Sequence, residues 1–313
     1  MRRSRRARCR PARAPDDGAG SREISQVLLG LDIGGTSSRA RLRDGAERVV
    51  DADGPGANVA TLEAPLMDRR VRDLIGKLGD LRPAACCAGA AGAEIPVGRA
   101  RLHELLARLL PNCRLAVVHD ARLVLAAAAV DSGIALVAGT GSVAYARTAE
   151  GKEAQRGGWG WMVGDDGGAV WITRKAAREV MRRSDAGEPP GPLGEALLLA
   201  AEARDTRQLT LNLHAMREPM QWAALATTVF ETADVDGGSA EIVHRAASEL
   251  AALVHDVQSE ADVNGPIILA GGLLLNQPLL ERAVRDELQQ PCVRLEAPPV
   301  EGAVRLAEEL LRS

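Results

Sequence analysis

One pattern occurs twice in the chain and constrains its fold more than any other feature. An apolar run leads into a glycine-containing turn, a second short run and an acid–glycine pair. The first copy starts at Val27 and turns at 34–38, and the second starts at Ile134 and turns at 139–142. Short apolar runs bounded by glycine are typical of strands, and an acid followed by glycine is a strong hairpin signal. The repeat therefore predicts two halves of similar architecture, each opening with antiparallel strands.

Helical patterns separate these strands. A third glycine turn, Gly271-Gly272, follows an apolar strand at 266–270 and leads towards a helix at 279–288. Further amphipathic patterns predict helices at 102–110, about 169–183 and 240–260. Strands alternating with helices in two similar halves predict an α/β fold. Its two domains should share a cleft, with ligands bound at the carboxyl ends of the strands.

The composition excludes several classes of protein. The chain has 313 residues, 46% of them hydrophobic and 26% charged, which is enough for about two globular domains. No uncharged apolar run approaches the roughly 18 residues of a membrane span, so we expect no membrane partner. The five cysteines form no C-x-x-C pair and do not suggest a disulfide framework. A reducing cytoplasm is the setting we predict.

The basic residues are concentrated at the start of the chain. Residues 1–23 hold eight of the 39 basic residues and three of the 42 acidic ones, so the remainder carries a net charge of about −8. An acidic body argues against a nucleic-acid partner. Because the segment also lacks the apolar stretch of a secretory signal, we interpret it as a disordered extension or a start site placed too far upstream. A transit peptide and a nucleic-acid arm are the alternatives.

The glycine turns are candidates for binding a polyphosphate. Glycine lets backbone N–H groups approach an anion closely, and a threonine or serine hydroxyl adds a donor. A single such turn is more often an ordinary hairpin, but two in matching positions and a third beside them favour phosphate binding. The chain has no G-x-x-x-x-G-K-[ST] sequence, which excludes a P-loop. The candidate residues are Gly34, Gly35, Thr36, Ser37, Gly139, Thr140, Gly141, Ser142, Gly271 and Gly272.

Two aspartates stand at the ends of predicted strands. Asp32 stands two residues before the first glycine turn, where a carboxylate can hold Mg²⁺ against phosphates or accept hydrogen bonds from the turn. Asp120 closes the apolar run 115–119 and precedes a helix. It is therefore a candidate general base for phosphoryl transfer to a hydroxyl, although an N-cap is the commoner role for Asp at such a junction.

The segment 157–171 combines six glycines with three of the four tryptophans and two acids. Glycine is costly in a core, so the mixture favours a polyol site. In such a site carboxylate and backbone groups meet hydroxyls, and aromatic rings shape or support the pocket. The alternative is a loop that caps the following helix, with Asp165 or Asp166 at the helix dipole. Asn58 lies on a loop, where its side chain either hydrogen-bonds the backbone of a turn or binds a ligand hydroxyl.

Taken together, these motifs resemble a branch of the actin-like ATPase superfamily. This BadF/BadG/BcrA/BcrD-type family includes N-acetylglucosamine kinases and the ATPases that activate benzoyl-CoA and 2-hydroxyacyl-CoA enzymes. The resemblance runs from about Val27 to Leu311, and its pair of glycine–tryptophan and glycine–aspartate motifs looks like the amino-sugar kinases. The matching motifs are Leu31-Asp-Ile-Gly-Gly-Thr36, Gly54-Pro-Gly-Ala-Asn58, His119-Asp-Ala121, Ala138-Gly-Thr-Gly-Ser142, Gly157-Gly-Trp-Gly160, Gly164-Asp-Asp-Gly167, Ala270-Gly-Gly272 and Gly302-Ala303.

The resemblance implies a fold and a set of roles. The fold would be two ribonuclease-H-like domains, at 24–122 and 123–301, with the helix at 302–313 completing the first. Asp120 would be the catalytic base, and the turns with Asp32 would meet ATP and Mg²⁺. The sugar pocket would be lined by Asn58, Gly157, Gly158, Asp165 and Ala169.

We therefore expect an ATP- and Mg²⁺-dependent kinase acting on the 6-hydroxyl of N-acetylglucosamine or a related hexosamine. The resemblance also implies a homodimer. The chain departs from the family pattern at His119, where Asn is usual, and at 166–168, where Glu-Gly-Ser is usual. Two alternatives are an activator ATPase that shares an iron–sulfur cluster between subunits and a sugar sensor that binds its ligand without phosphorylating it.

Overall fold

The computed structural model describes residues 27–45, 48–80 and 82–312. The arginine-rich segment 1–23, whose interpretation was given above, lies outside the described residues, as does Cys9.

The first half of the chain builds a five-stranded mixed sheet in the order β3-β2-β1-β4-β5. The strands β1, β2 and β3 form an antiparallel meander, while β4 and β5 run parallel to β1. Asp32 faces Gly89 of β4, and Ala90 of β4 faces His119 of β5. The carboxyl ends of β1, β4 and β5 therefore lie on one edge. The strands span Val27–Ile33 (β1), Ser37–Asp44 (β2), Arg48–Pro55 (β3), Ala85–Ala90 (β4) and Arg114–His119 (β5).

One face of this sheet is covered by α1 (Ala64–Gly76) and α2 (Pro96–Leu109). Apolar side chains at alternate strand positions, such as Leu29, Leu31 and Ile33, form one buried cluster with residues of both helices. This alternation is the period that a half-buried strand requires. The helix α3 (Asp120–Ala127) follows β5 directly.

The second half builds a sheet with the same connectivity, in the order β8-β7-β6-β9-β10. Again the first three strands form an antiparallel meander and the last two run parallel to the first. This confirms the predicted duplication and the α/β fold class. The strands span Gly133–Ala138 (β6), Ser142–Arg147 (β7), Glu153–Gly157 (β8), Ile267–Ala270 (β9) and Cys292–Arg294 (β10).

Helices cover the second sheet and form the largest buried cluster of the described chain. The part at about 184–240, for which the sequence made no specific prediction, folds into four of these helices. Their bounds are Ala169–Asp185 (α4), Gly191–Ala200 (α5), Thr206–Ala215 (α6), Pro219–Ala224 (α7), Thr227–Thr232 (α8), Gly237–Ala261 (α9), Gly272–Asn276 (α10) and Pro278–Leu288 (α11).

The buried Asp236 links three helices of this region by hydrogen bonds. Its carboxylate accepts two hydrogen bonds from Arg183, at 2.9 and 3.0 Å, and others from the backbone N–H groups of Leu193, Gly238 and Ser239. Burial acts to raise the pKa of Asp236, but the hydrogen bonds from Arg183 and from the Ser239 and Leu193 N–H groups hold it below its usual value. The result is a charged N-cap for α9 that also joins it to α4 and α5.

Two helices connect the halves. The last helix, α12 (Pro299–Arg312), packs on β1 and on α3. A Cβ on Gly302 would lie 2.1 Å from the Leu123 carbonyl oxygen, so glycine permits this close approach. On its other side, α3 places Val124 and Leu125 in a buried cluster with Tyr145 and Ile268 of the second sheet. Within the described residues, none of the helices combines the length and hydrophobicity needed to cross a bilayer.

Candidate functional site

The first glycine turn is held by the loop that follows β3. The N–H groups of Gly56 and Ala57 donate to the carbonyl oxygens of Thr36 and Gly34, each at 3.0 Å. A Cβ on Gly56 would lie 2.2 Å from the carbonyl oxygen of Gly35, so this contact requires glycine. Thr36 and Ser37 stay exposed. The backbone of the turn is thus held by two hydrogen bonds, and the hydroxyl groups of Thr36 and Ser37 remain accessible to a ligand.

Asp32 lies beside this turn with its carboxylate unengaged. No hydrogen bond within the described chain ends on this side chain, so the alternative of a turn acceptor is not what the structure shows. Burial, and then the charge of Asp120, raises the pKa of Asp32 to about 7, while Arg39 lowers it. A partly buried carboxylate of this kind is poised to receive a cation.

Asp120 is the first residue of α3, and the N-cap is His119. Asp120 is therefore not the N-cap, which was the commoner role expected for Asp at such a junction. The Ala121 N–H donates both to His119 Nδ1, at 3.1 Å, and to Asp120 Oδ1, at 2.9 Å. Burial raises the pKa of Asp120 and the charge of Glu94 adds to that, whereas His119 and the Ala121 N–H lower it. The Asp120 side chain is 29% exposed and remains accessible.

His119 connects three groups. Its Nδ1 lies 3.2 Å from Asp120 Oδ1, and its Nε2 lies 3.6 Å from Glu94 Oε2. Its ring stacks on Tyr145 with centroids 5.5 Å apart and planes within 4°. Because Tyr145 belongs to β7, this contact joins the first sheet's site to the second half of the molecule.

Asn58 forms a turn at the same edge. Its side-chain oxygen accepts from the N–H groups of Ala60, at 2.9 Å, and Thr61, at 3.1 Å. The following residue, Val59, donates its N–H to the Ala91 carbonyl just beyond β4. The turn chemistry of Asn58 therefore fixes its oxygen beside the end of β4.

The second glycine turn is held by the start of α4. The N–H groups of Ala169 and Val170 donate to the carbonyl oxygens of Gly139 and Thr140, at 3.0 and 3.2 Å. A Cβ on Gly141 would lie 2.0 Å from Asp165 Oδ2, so the turn and this carboxylate are in direct contact. The hydroxyl of Ser142 donates to the Asp166 carbonyl at 2.6 Å.

Asp165 does not cap α4. The N-cap is Gly168, which has no side-chain acceptor, while Asp165 Oδ1 accepts from the Gly160 N–H at 3.0 Å. Burial, and then the charge of Asp166, raises the pKa of Asp165 against the lowering effect of the Gly160 N–H. Asp165 is therefore not the N-cap of α4.

The tryptophans separate into different environments. Trp171 is 5% exposed in the core of the second half, with Lys175 4.8 Å from its ring centroid, so it is a core residue. Trp159 is 79% exposed on the loop before α4. Of these two rings, only that of Trp159 is open to a ligand; the ring of Trp171 could support a pocket only from within the core. Gly157 and Gly158, which start this loop, both have positive φ, and Gly158 donates to the Ser142 carbonyl.

The third glycine turn lies against the second. Gly271 has a φ of 93°, and a Cβ there would lie 2.3 Å from the Ala138 carbonyl oxygen. Gly272 starts α10 close to Gly139. The structure therefore brings the turns 139–142 and 271–272 together, and brings 34–37, Asp32, Asn58 and Asp120 together at the edge of the other sheet.

The sequence interpretation missed Glu94, Tyr145 and Met220. Glu94 and Tyr145 contact His119, and Met220 Sδ lies 3.2 Å from Thr140 Oγ1. All three are brought in by tertiary packing and carry no local motif. Within residues 27–45, 48–80 and 82–312, no group of three or more His, Cys, Asp or Glu forms a metal cluster.

A family model matches residues 29–306, nearly the whole described chain. The chain belongs to the BadF/BadG/BcrA/BcrD ATPase family. It is 30% identical over 169 residues to an N-acetylmuramic acid/N-acetylglucosamine kinase from Clostridium acetobutylicum; the match covers 51% of this chain. This family member spans about half the length of that curated relative, 55%.

Solved structures show the same fold for this family member. A protein assigned as an N-acetylglucosamine kinase in Chromobacterium violaceum has a TM-score of 0.73 at 24% identity, covering 91% of this chain and 99% of that one. A similar protein from Porphyromonas gingivalis has a TM-score of 0.71 at 17% identity, covering 89% and 97%. The ROK hexokinase of Thermus thermophilus has a TM-score of 0.52 at 18% identity, covering 92% and 100%. These likenesses confirm the two-domain, actin-like ATPase architecture.

Proposed function

We propose that the chain is an ATP-dependent sugar kinase. It transfers the γ-phosphoryl group to the 6-hydroxyl of N-acetylglucosamine or a related hexosamine, with Asp120 as the general base. The observation that carries this proposal is the position of Asp120 and Asp32 at the same edge of the first sheet, close enough for the charge of one to raise the pKa of the other.

Asp120 has the environment that a base for this reaction needs. A sugar hydroxyl gives up its proton as it attacks phosphorus, and the best acceptor has a pKa raised towards the working pH. Burial raises the pKa of Asp120, and its side chain remains partly exposed. The Ala121 N–H fixes Oδ1 and leaves Oδ2 for the hydroxyl.

The turns and Asp32 supply the phosphate site. Backbone N–H groups and hydroxyls at 34–37 and 139–142 would bind the triphosphate, and Gly271-Gly272 would approach the adenosine. Asp32 is the residue that would hold Mg²⁺, which neutralises charge on the phosphoryl group when bound. The rigid contacts of Gly56 with the first turn and of Asp165 with the second keep both turns in place.

The sugar pocket is proposed at Asn58, Gly157, Gly158, Asp165 and Ala169. Asp165 lies against the phosphate-binding turn and keeps a carboxylate oxygen that can accept from a sugar hydroxyl. The N–H of Ala169 is committed to Gly139, so this residue would contact the sugar through its methyl group alone. The acetylated amino sugars named for the Clostridium acetobutylicum relative support this substrate class.

The test is ADP release measured across hexoses, hexosamines and their N-acetyl derivatives. We expect release with an N-acetylated amino sugar and a fall in kcat of roughly 10²–10⁴ for Asp120→Asn, while ATP still binds. Asp256→Asn, at an exposed position of α9, is the matched control. Near-normal turnover by Asp120→Asn refutes the base assignment.

The same assay separates the two alternatives. Sugar binding without ADP release identifies a sensor. ADP release without sugar, from a coloured protein, identifies an activator ATPase. The activator reading is not favoured, because Cys86 and Cys87 are fully buried and cannot reach a cluster between subunits.

The remaining expectations concern partners and setting. The small-molecule partners would be the sugar and ATP, without membrane or nucleic acid, and the chain would act as a homodimer in the cytoplasm. The four described cysteines are free thiols, which suits a reducing compartment. Light scattering coupled to size exclusion, over a range of protein concentrations, tests the dimer.

A further inference from the structure

A second carboxylate, that of Glu94, stands beside the proposed base at the edge of the first sheet. It lies on the loop between β4 and α2, and its charge acts on the pKa of Asp120. The side chain is 38% exposed, and no hydrogen bond within the described chain ends on it. A carboxylate with open acceptor sites next to a proposed base is suited to bind another hydroxyl group of the substrate.

The loop that carries Glu94 is held on both sides of this residue. Arg99 Nε donates to the carbonyl oxygen of Ala93 at 2.8 Å, and the Ile95 N–H donates to the carbonyl oxygen of Gly92 at 3.2 Å. These bonds fix the backbone from which the side chain of Glu94 extends. The carboxylate is therefore largely in position before a ligand binds, which lowers the entropic cost of using it.

This loop spans the distance between Asn58 and Asp120. At one end, a Cβ on Gly92 would lie 2.6 Å from Asn58 Oδ1, so the two residues are in direct contact. At the other end, Glu94 Oε2 lies 3.6 Å from Nε2 of His119, the residue before Asp120. The contacts therefore place Glu94 between the proposed base and the proposed sugar ligand Asn58.

The neighbouring His119 leaves the carboxylate of Glu94 available. The Ala121 N–H donates to His119 Nδ1, so the ring proton lies on Nε2, which faces Glu94. The separation of 3.6 Å is too long for a hydrogen bond. The ring therefore attracts the carboxylate without occupying the lone pairs that a ligand would use.

We propose that Glu94 determines substrate specificity by accepting a hydrogen bond from the 4-hydroxyl of the sugar. In a hexopyranose this hydroxyl stands next to C5, the carbon that bears the reacting C6 arm. With the 6-hydroxyl at Asp120, the next hydroxyl around the ring meets the next carboxylate along the sheet edge. The inference rests on the proposed function and deepens it, because it assigns the residue that distinguishes sugars differing at C4.

The configuration at C4 is the property that this contact recognises. The 4-hydroxyl is equatorial in N-acetylglucosamine and axial in its epimer N-acetylgalactosamine. A carboxylate held in one place can accept from only one of these positions, and the other epimer leaves the charged acceptor unpaired. We expect the wild-type protein to prefer N-acetylglucosamine over N-acetylgalactosamine by at least about 10-fold in kcat/KM.

Glu94→Ala tests the contact with three sugars: N-acetylglucosamine, its 4-deoxy derivative and N-acetylgalactosamine. For the first, kcat/KM should fall about 10–100-fold, mainly through KM, because one hydrogen bond to a charged acceptor is lost. For the other two, the change should be less than about 3-fold, since neither makes this contact with the wild-type protein. Glu104→Ala, at an exposed position of α2, is the matched control and should leave all three values unchanged.

Glu94→Gln is the second variant, and it covers the case in which Glu94→Ala does not fold. The amide keeps the shape of the side chain and one acceptor oxygen but removes the charge. We expect kcat/KM for N-acetylglucosamine to fall about 3–10-fold, with little change for the 4-deoxy sugar. A merely structural role of Glu94 beside His119 would instead lower the values for all three sugars equally.

The outcomes distinguish this inference from the function on which it rests. Equal decreases with N-acetylglucosamine and its 4-deoxy derivative, or an unchanged kcat/KM for N-acetylglucosamine, overturn the role of Glu94 and leave the kinase in place. If the wild-type protein releases no ADP with any sugar, the proposed function fails. Calorimetric Kd values for the same sugars and variants then decide the role of Glu94 by the same comparison, and absence of binding by all three sugars overturns it.

Discussion

The two halves share one connectivity but differ in what lies on their glycine turns. In the first half, the turn 34–37 is held by a loop, and two aspartates stand beside it. In the second half, the turn 139–142 is held by the start of α4 and by Asp165. The duplicated sheets therefore provide a common frame, and the elements packed on each turn give the two edges different chemistry.

Matching positions make the difference specific. Asp32 stands two residues before the first turn, and the corresponding residue of the second copy is Val137. Asp120 follows β5, and Leu295 follows the corresponding strand β10. The proposed cation ligand and the proposed general base thus both lie in the first half, while the second offers backbone donors and the proposed sugar loop.

The largest expected effect comes from removing the charge at one of these matched positions. Asp32→Asn should lower kcat by roughly 10³, since it removes the proposed Mg²⁺ ligand and leaves the frame unchanged. Val137→Ala, at the equivalent position, should cost stability but little turnover. Steady-state ADP release at saturating Mg²⁺ and ATP measures both. Equal decreases in kcat for the two variants contradict the proposal that the cation ligand lies in the first half alone.

The same Asp32 substitution should stabilise the protein in the absence of metal. The pKa of Asp32 is raised to about 7 in the folded state. The contribution of this carboxyl group to the free energy of unfolding is therefore fully present below its unfolded pKa and is lost as the pH rises through about 7. At pH 8 in EDTA, the free energy of unfolding of Asp32→Asn should therefore be roughly 1–3 kcal/mol higher than that of wild type. Denaturant unfolding measures this difference. At pH 4 the difference should vanish.

The next effect concerns the helical region present only in the second half. Asp236→Ala removes the buried acceptor of Arg183 and the cap of α9, and should destabilise the protein by about 3 kcal/mol. Because the pKa of Asp236 is lowered on folding, its contribution is present above the unfolded pKa and is lost as pH falls. Denaturant unfolding at pH 7 and pH 3 tests both statements, with exposed Asp234→Ala as the control.

Local patterns predicted the frame well because strands and glycine turns are encoded locally. Both meanders and the position of Asp120 after β5 follow from alternation and turn residues. The boundaries were less accurate. The helix expected at 240–260 begins at Gly237, because Asp236 supplies its cap. That cap depends on Arg183, which lies far away in the sequence.

The sequence identified the site residues whose side-chain type and position alone indicate their chemistry. It did not identify the residues that tertiary packing brings to the site. Asp32 could be identified from its position near the end of β1, and Asp120 from its position directly after β5. The ring that stacks on His119 could not, since Tyr145 is a core position of β7 in the other half. The environment of Trp171 was not predictable either: it ends a glycine-rich segment, but helix periodicity in α4 turns its ring into the core.

Two glycine substitutions should sharpen the contrast between the turns. A Cβ on Gly56 meets the backbone of Gly35, whereas a Cβ on Gly141 meets the side chain of Asp165. We expect Gly56→Ala to raise the KM for ATP about 10-fold and Gly141→Ala to raise mainly the sugar KM, since Asp165 is displaced. Initial-rate kinetics with each substrate varied measures this. Gly76→Ala, where a Cβ meets open space, is the control. Identical KM changes in both variants contradict the separate roles.

The smallest effect concerns cysteines in equivalent sheets. Cys86 and Cys87 lie in β4, an interior strand of the first sheet, and are fully buried. Cys292 lies in the edge strand β10 and is partly exposed. Burial raises the pKa of the Cys87 thiol to about 12, and it raises that of Cys292 as well. Since the thiolate is the nucleophile, all should react slowly at pH 7, and only Cys292 should react faster at pH 9 without unfolding.

Peptide mapping after timed alkylation distinguishes these sites. We expect Cys292 to label at least about 100-fold faster than Cys86 or Cys87 in the folded protein, and all three to label equally in denaturant. Labelling at Cys292 should leave ADP release unchanged, because β10 carries Leu295 where the first sheet carries Asp120. Rapid labelling of Cys86 in the folded protein means that the first sheet opens readily. Its aspartates could not then keep pKa values set by burial. The contrast between the first edge, with Asp32 and Asp120, and the second edge, with Val137 and Leu295 at the matching positions, would be lost.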